Sequence, residues 1–193
     1  MGGHYAESPA QRFAWDVPPD VRLCGDAPVS AERLDGALAW WRRLGFRFGE
    51  VERVAVCTFR EDGTPLDSSG RVATLAVTVV LRGQLAALGL GGETDWSCYG
   101  GVPLWVVISL PGGLEAQSLV LEHELGHALG LGHHAQDGHV MNPVAARLGI
   151  RVDGITPPGG PASGSGTPAP RRRPRTSTWR RRSRARRGGE GCR

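Results

Sequence analysis

The sequence predicts a mixed α/β fold, an α+β arrangement of one sheet with two main helices. Three observations carry this expectation. Short runs rich in Val, Leu and Thr recur along the first 110 residues and read as strands. Two other segments repeat apolar residues at three- and four-residue spacing and read as helices. The two kinds follow one another as β-α-β-β-(β)-β-α, an order that excludes an all-β protein or a helical bundle.

VRLC (21–24) follows Pro18-Pro19 and reads as the first strand. Ser30 can cap a helix running to about Leu44, on which Leu34, Ala37, Leu38 and Trp41 form one apolar stripe, and Gly45 ends it. VERVAVCTF (51–59) reads as a strand, EDGTPLDSSG (61–70) as a loop, and RVATLAVTVVL (71–81) as a second long strand. Residues 83–101 are broken by glycine, with a short strand expected near Leu85–Leu90. PLWVVISL (103–110) is an apolar strand, and a helix follows from about Leu114 to Leu129.

The net charge of +4 averages two unlike parts. Residues 1–156 carry twelve Arg against eighteen Asp or Glu, a balance of −6. Residues 157–193 carry eleven Arg against one Glu, a balance of +10. The expected organisation is an N-terminal extension (1–14), one folded domain (15–155), and a Pro/Gly/Ser linker with an Arg-rich tail (156–193). The tail lacks the apolar residues to pack and is expected to be disordered. Three readings of it stand open: weak polyanion or nucleic-acid contact, a solvated tail without a partner, or the product of a shifted reading frame.

Cys24, Cys57, Cys98 and Cys192 form no CxxC pair, so no zinc knuckle is expected. Three of them lie in the acidic part, an odd number that argues against a complete disulfide framework there. Cys57 reads as a buried apolar filler. No signal peptide is visible and no apolar run reaches membrane-spanning length. The chain therefore reads as soluble, cytoplasmic by default, without a membrane partner.

Five of the six histidines lie between residues 123 and 139. On a helix, His123 and His127 stand four apart, roughly opposite the apolar side, about 6 Å from each other along the axis. That spacing lets two imidazoles share one metal ion. Glu124 lies between the two faces, where its carboxylate can reach a water on that metal without being a ligand. A catalytic zinc needs three protein ligands and an open position. On a continued helix His133 would lie about 15 Å further along, so the chain must turn back. Gly130 stands where a left-handed C-cap is expected, and that turn would return His133 to the metal.

His123-Glu124-x-x-His127-x-x-Gly130-x-x-His133 resembles the metzincin signature HExxHxxGxxH. Val140-Met141-Asn142-Pro143 resembles the Met-turn of the same clan, and the flank HALGLGH looks most like the matrixin branch. The resemblance implies a twisted mixed sheet whose active-site helix is followed by a Gly turn and the Met-turn. It implies one catalytic zinc ion held by His123, His127 and His133, with Glu124 as general base in peptide-bond hydrolysis. Met141 would form a hydrophobic floor, and the chain after Pro143 one wall of a pocket. It also implies an edge strand just before PLWVVISL, here Leu85–Gly92, so that Leu88, Gly89 and Leu90 with Pro143 would face a peptide or protein substrate.

The chain departs from the branch in places. Only His4 precedes His123, so the second, structural zinc of matrixins should be missing; calcium is not expected either. RLCGDAP (22–28) is faintly similar to a cysteine-switch peptide, but Cys24 sits directly before the first helix and reads as a strand residue. His134 and His139 read as solvated loop histidines, Glu115 and Glu122 as solvated helix charges, and Trp40-Trp41 as core plus helix surface. The rival expectation is a polyanion- or nucleic-acid-binding protein that acts through its tail and carries a non-catalytic zinc site.

Overall fold

In a computed structural model, residues 12–74, 76–82, 91–112, 119–135 and 139–143 are described. They form β1 (Asp20–Cys24), α1 (Ala31–Arg43), β2 (Val51–Val54), β3 (Thr58–Phe59), β4 (Pro65–Leu66), β5 (Ala76–Leu81), β6 (Glu93–Tyr99), β7 (Val102–Leu110) and α2 (Val120–Ala128). The architecture is the expected mixed α/β one. Five strands form one sheet in the order β2-β1-β5-β7-β6, and β3 with β4 forms a separate two-stranded ribbon. β2, β1, β5 and β7 run parallel, and β6 closes the edge antiparallel to β7.

Strand register explains why one face is buried. Val21 is level with Val77, Leu23 with Val79, Val77 with Val106, and Val79 with Ile108. Alternation along each strand points all six to the same side. They join Leu34, Leu38 and Trp41 of α1 and Leu121 and Leu125 of α2 in a single core. α1 starts as expected: the Ser30 hydroxyl accepts from the Arg33 N–H at 3.1 Å and so satisfies one of the first orphan donors. Its stripe of Leu34, Ala37, Leu38 and Trp41 is buried throughout, while Trp40 is half-buried on the flank.

Several expectations need correction. VERVAVCTF is not one strand; it breaks at 55–57 into β2 and β3. A cross-link falls at the break: Cys24 and Cys57 form a disulfide with their Cα atoms 5.5 Å apart. Cys57 is half-exposed, so it is not an apolar filler. Cys98 is disulfide-bonded as well. An odd count of cysteines says nothing about whether two strands lie side by side, and the pairing of Cys24 with Val54 places β1 beside the turn that carries Cys57. Cys24 is the last residue of β1, as expected of a strand residue.

The expected edge strand is also displaced along the chain. The strand antiparallel to β7 is Glu93–Tyr99, just after the stretch assigned to it. Leu88, Gly89 and Leu90 lie outside the described residues, as do Glu115, the first part of the expected second helix and the tail. Of the long run 71–81, only Ala76–Leu81 joins the main sheet. No helix among the described residues is long and apolar enough to cross a membrane.

Candidate metal centre

The centre is built on α2, the turn that ends it and the loop back to Met141. α2 closes with paired backbone bonds: the Leu131 N–H donates to Gly126 O and the Gly130 N–H to His127 O, each at 2.9 Å. Bonds of this pattern end a helix around a left-handed residue, and Gly130 has φ +89°. Space makes a second demand, because a Cβ on Gly130 would stand 2.1 Å from the carbonyl oxygen of Phe13. The segment Arg12–Trp15 lies across this turn. The Arg12 N–H donates to Gly130 O at 2.7 Å, and the Trp15 indole donates to Ala128 O at 2.8 Å. These bonds satisfy carbonyls that a helix end leaves without partners.

The turn brings the three predicted ligands together. Ligand atoms of His123, His127 and His133 all lie within 4.8 Å of one another, and the three could hold a metal ion. His123 is buried, His127 half-buried and His133 exposed, so the cluster opens to solvent on the His133 side. The Nδ1 of His123 donates to Val140 O and the Nδ1 of His127 to Leu131 O, each at 2.7 Å. A carbonyl only accepts, so both protons sit on Nδ1 and both Nε2 atoms carry lone pairs.

Those two Nε2 atoms are 3.1 Å apart. With both δ-nitrogens protonated, neither has a proton to offer the other. Two acceptors at that distance repel unless a cation lies between them. Tetrahedral ligands about 2.05 Å from a zinc ion would be roughly 3.3 Å apart, so the spacing suits such an ion. Burial lowers the pKa of His123 to about 4 and of His127 to about 3, which keeps both imidazoles neutral and ready to bind metal.

Glu124 is buried beside the cluster. Burial raises its pKa to about 7, against the lowering effect of a hydrogen bond from Thr94. The Thr94 hydroxyl donates to Glu124 Oε2 at 2.6 Å. Below the helix, Met141 is wholly buried. It packs under Gly126, where a Cβ would come within 2.2 Å of the Met141 sulfur. Pro143 is half-buried at the end of this turn.

Two neighbouring histidines differ in role from a solvated loop. His139 is buried, and its Nδ1 accepts the Met141 N–H at 3.0 Å. Its ring stacks on that of His134, with centroids 4.3 Å apart. Closing the turn at Met141 needs an acceptor there, which puts His139 inside. Glu122 is likewise no solvated charge. It is buried and accepts two bonds from Arg33 of α1, at 2.8 and 2.5 Å, while the Trp41 indole donates to its carbonyl at 3.0 Å. A buried carboxylate needs such a partner. Sequence reasoning also passed over Thr94 on β6 and took Gly92, the residue before it, only as the end of the expected edge strand; no local spacing reveals their relation to Glu124.

A family model described as Matrixin matches residues 56–152, half of the chain. No curated protein and no solved structure matches it.

Proposed function

Because the chain belongs to the matrixin family, we propose that it is a zinc-dependent endopeptidase in which His123, His127 and His133 hold one zinc ion and Glu124 is the general base. The observation that supports this best is the convergence of three histidine nitrogens, two of them facing each other as acceptors, beside a buried carboxylate. Zinc, when bound there, supplies a Lewis acid that activates water and polarises the scissile carbonyl.

The residues do the rest. Glu124 takes a proton from the attacking water and passes it to the leaving amine nitrogen. A carboxyl that burial holds near neutrality can do both, and any cation on the histidines lowers its pKa from there. Val140 O and Leu131 O keep His123 and His127 in the ligating tautomer. Among the described residues β6 pairs only with β7, so an extended peptide can add to its other side by backbone hydrogen bonds. Pro143 would border the pocket for the side chain after the cut.

The test is hydrolysis of an unstructured polypeptide by zinc-loaded protein, with and without a chelator, alongside metal analysis. The expected result is one zinc per chain, and cleavage that stops on chelation and returns with zinc. Cleavage indifferent to the chelator, or a zinc-loaded protein that cleaves nothing in a broad peptide library, would overturn the reading.

A further inference from the structure

Two residues on the edge-strand side touch the proposed base directly. Thr94 and Gly92 are two apart, so they face the same side of the chain at β6. Both meet Glu124. The Thr94 hydroxyl donates to Glu124 Oε2 at 2.6 Å, a short bond to a group 30 residues away. The same hydroxyl lies 3.3 Å from the Glu124 carbonyl oxygen, a longer and weaker alternative. At Gly92 the carboxylate occupies the space a side chain would fill: a Cβ would stand 2.8 Å from Glu124 Cγ and 2.8 Å from Oε1. Gly92 has no positive φ, so the demand there is for room and not for backbone freedom.

We propose that Thr94 is a positioning residue for peptide hydrolysis, holding Glu124 through Oε2 in the gap left by Gly92 so that Oε1 is the oxygen presented to the attacking water. The inference rests on the peptidase reading above. A glutamate has three rotatable bonds, and a base that must meet one water cannot sample them freely. The bond from Thr94 ties one oxygen down, and a hydrogen bond to an ionised carboxylate is among the stronger kinds. Because Thr94 stands on the strand proposed to carry the peptide, substrate and base are located by the same element.

Thr94→Val keeps the branched shape and removes the donor. Thr94→Ser keeps the donor and removes the methyl group. With zinc-loaded protein, Thr94→Val should lower kcat roughly ten- to hundredfold. KM should stay within about twofold of the parent, while Thr94→Ser retains near-parental kcat. Gly92→Ala should lower kcat as well, by pushing the carboxylate aside.

In zinc-free protein, NMR of a ¹³C-labelled Glu124 carboxyl should report one conformer in the parent and in Thr94→Ser, and averaging in Thr94→Val. Parental kcat in Thr94→Val, a serine variant as impaired as the valine one, or a loss confined to KM would overturn the inference. If the zinc-loaded parent itself cleaves nothing, the peptidase reading fails. The NMR comparison still decides whether Thr94 holds the carboxylate.

Discussion

His123 donates from Nδ1 to the carbonyl oxygen of Val140 at 2.7 Å, across 17 residues of chain. This bond ties the first proposed ligand to the turn that carries Met141. Met141 in turn packs against Gly126 on the same helix, so helix, ligand and turn hold one another. Moving any one of them should weaken metal binding at the proposed site.

Gly126→Ala tests that closure. Alanine is the better helix former by about 1 kcal/mol. Its Cβ, however, would stand 2.2 Å from Met141 Sδ and 2.9 Å from Trp41 Cζ2, both in wholly buried side chains. Overpacking of this kind costs about 1–3 kcal/mol, so packing should outweigh propensity. The expected outcome is a lower Tm and weaker zinc binding, read by thermal unfolding and competition with a chromophoric chelator. An unchanged Tm would mean that Met141 yields freely.

Glu124→Gln should keep the fold and the zinc and lose at least about a hundredfold in kcat. The amide has the shape of the carboxylate but cannot take a proton from water. Parallel metal analysis and kinetics check it; a variant cleaving at the parental rate would remove Glu124 from its role.

His133→Ala should weaken zinc binding by more than about a hundredfold, and His134→Ala by far less. Ligand atoms of His133 lie with those of His123 and His127, whereas His134 stacks on His139. Equal affinity in the two variants would show that the third ligand is misassigned.

The zinc-free protein should lose stability as pH falls from about 6.5 towards 4. Burial lowers the pKa of His123 to about 4, of His127 to about 3 and of His139 to about 4, from an ordinary 6.5. In that window the unfolded chain takes up these three protons and the folded chain does not, so acid favours unfolding. Glu124 acts the other way: raised from 4.5 to about 7, it favours the folded form below 4.5 and loses that contribution as pH rises through 7. Burial raises Asp95 as well, so it acts with Glu124; three groups oppose two, and the histidines decide the sign. Urea titrations of chelator-treated protein at several pH values would show it; stability rising towards pH 4 would contradict it.

Reducing the Cys24–Cys57 disulfide should destabilise the domain by about 3–4 kcal/mol, the entropy of closing a loop across 33 residues. Disulfides persist where conditions are oxidising, so the state of this pair in the native protein depends on its compartment. Peptide mapping of the unreduced protein from its native source would find the linked pair. Free thiols at both positions there would place the protein in a reducing compartment.

The convergence of the histidines on α2 and its turn was legible because its logic is local. A spacing of four puts the imidazoles of His123 and His127 on one helix face, and Gly130 stands where a left-handed C-cap would turn the chain back towards His133. Ser30 and the stripe from Leu34 to Trp41 were legible for the same reason: capping and periodicity act within a few residues of each other. Glu122 and His139 were misread because their partners are remote. Nothing near Glu122 in sequence announces Arg33, 89 residues earlier. The edge strand Glu93–Tyr99 was missed because the alternation of Thr94, Trp96 and Cys98 with Glu93, Asp95 and Ser97 carries only two apolar residues and sits between glycines. Its backbone pairing with β7 makes it a strand, and pairing between segments leaves no periodic mark on either one.

Local spacing alone therefore settles that His123, His127 and His133 can converge, since helix pitch and one glycine turn are properties of the backbone. Tertiary packing decides what surrounds them: which tautomer each ligand adopts through Val140 O and Leu131 O, how far burial moves Glu124, and that Thr94 lies against it. Desolvation and hydrogen bonding depend on which distant atoms fill the neighbouring space. That is a property of the assembled sheet and helices, absent from any window of the chain.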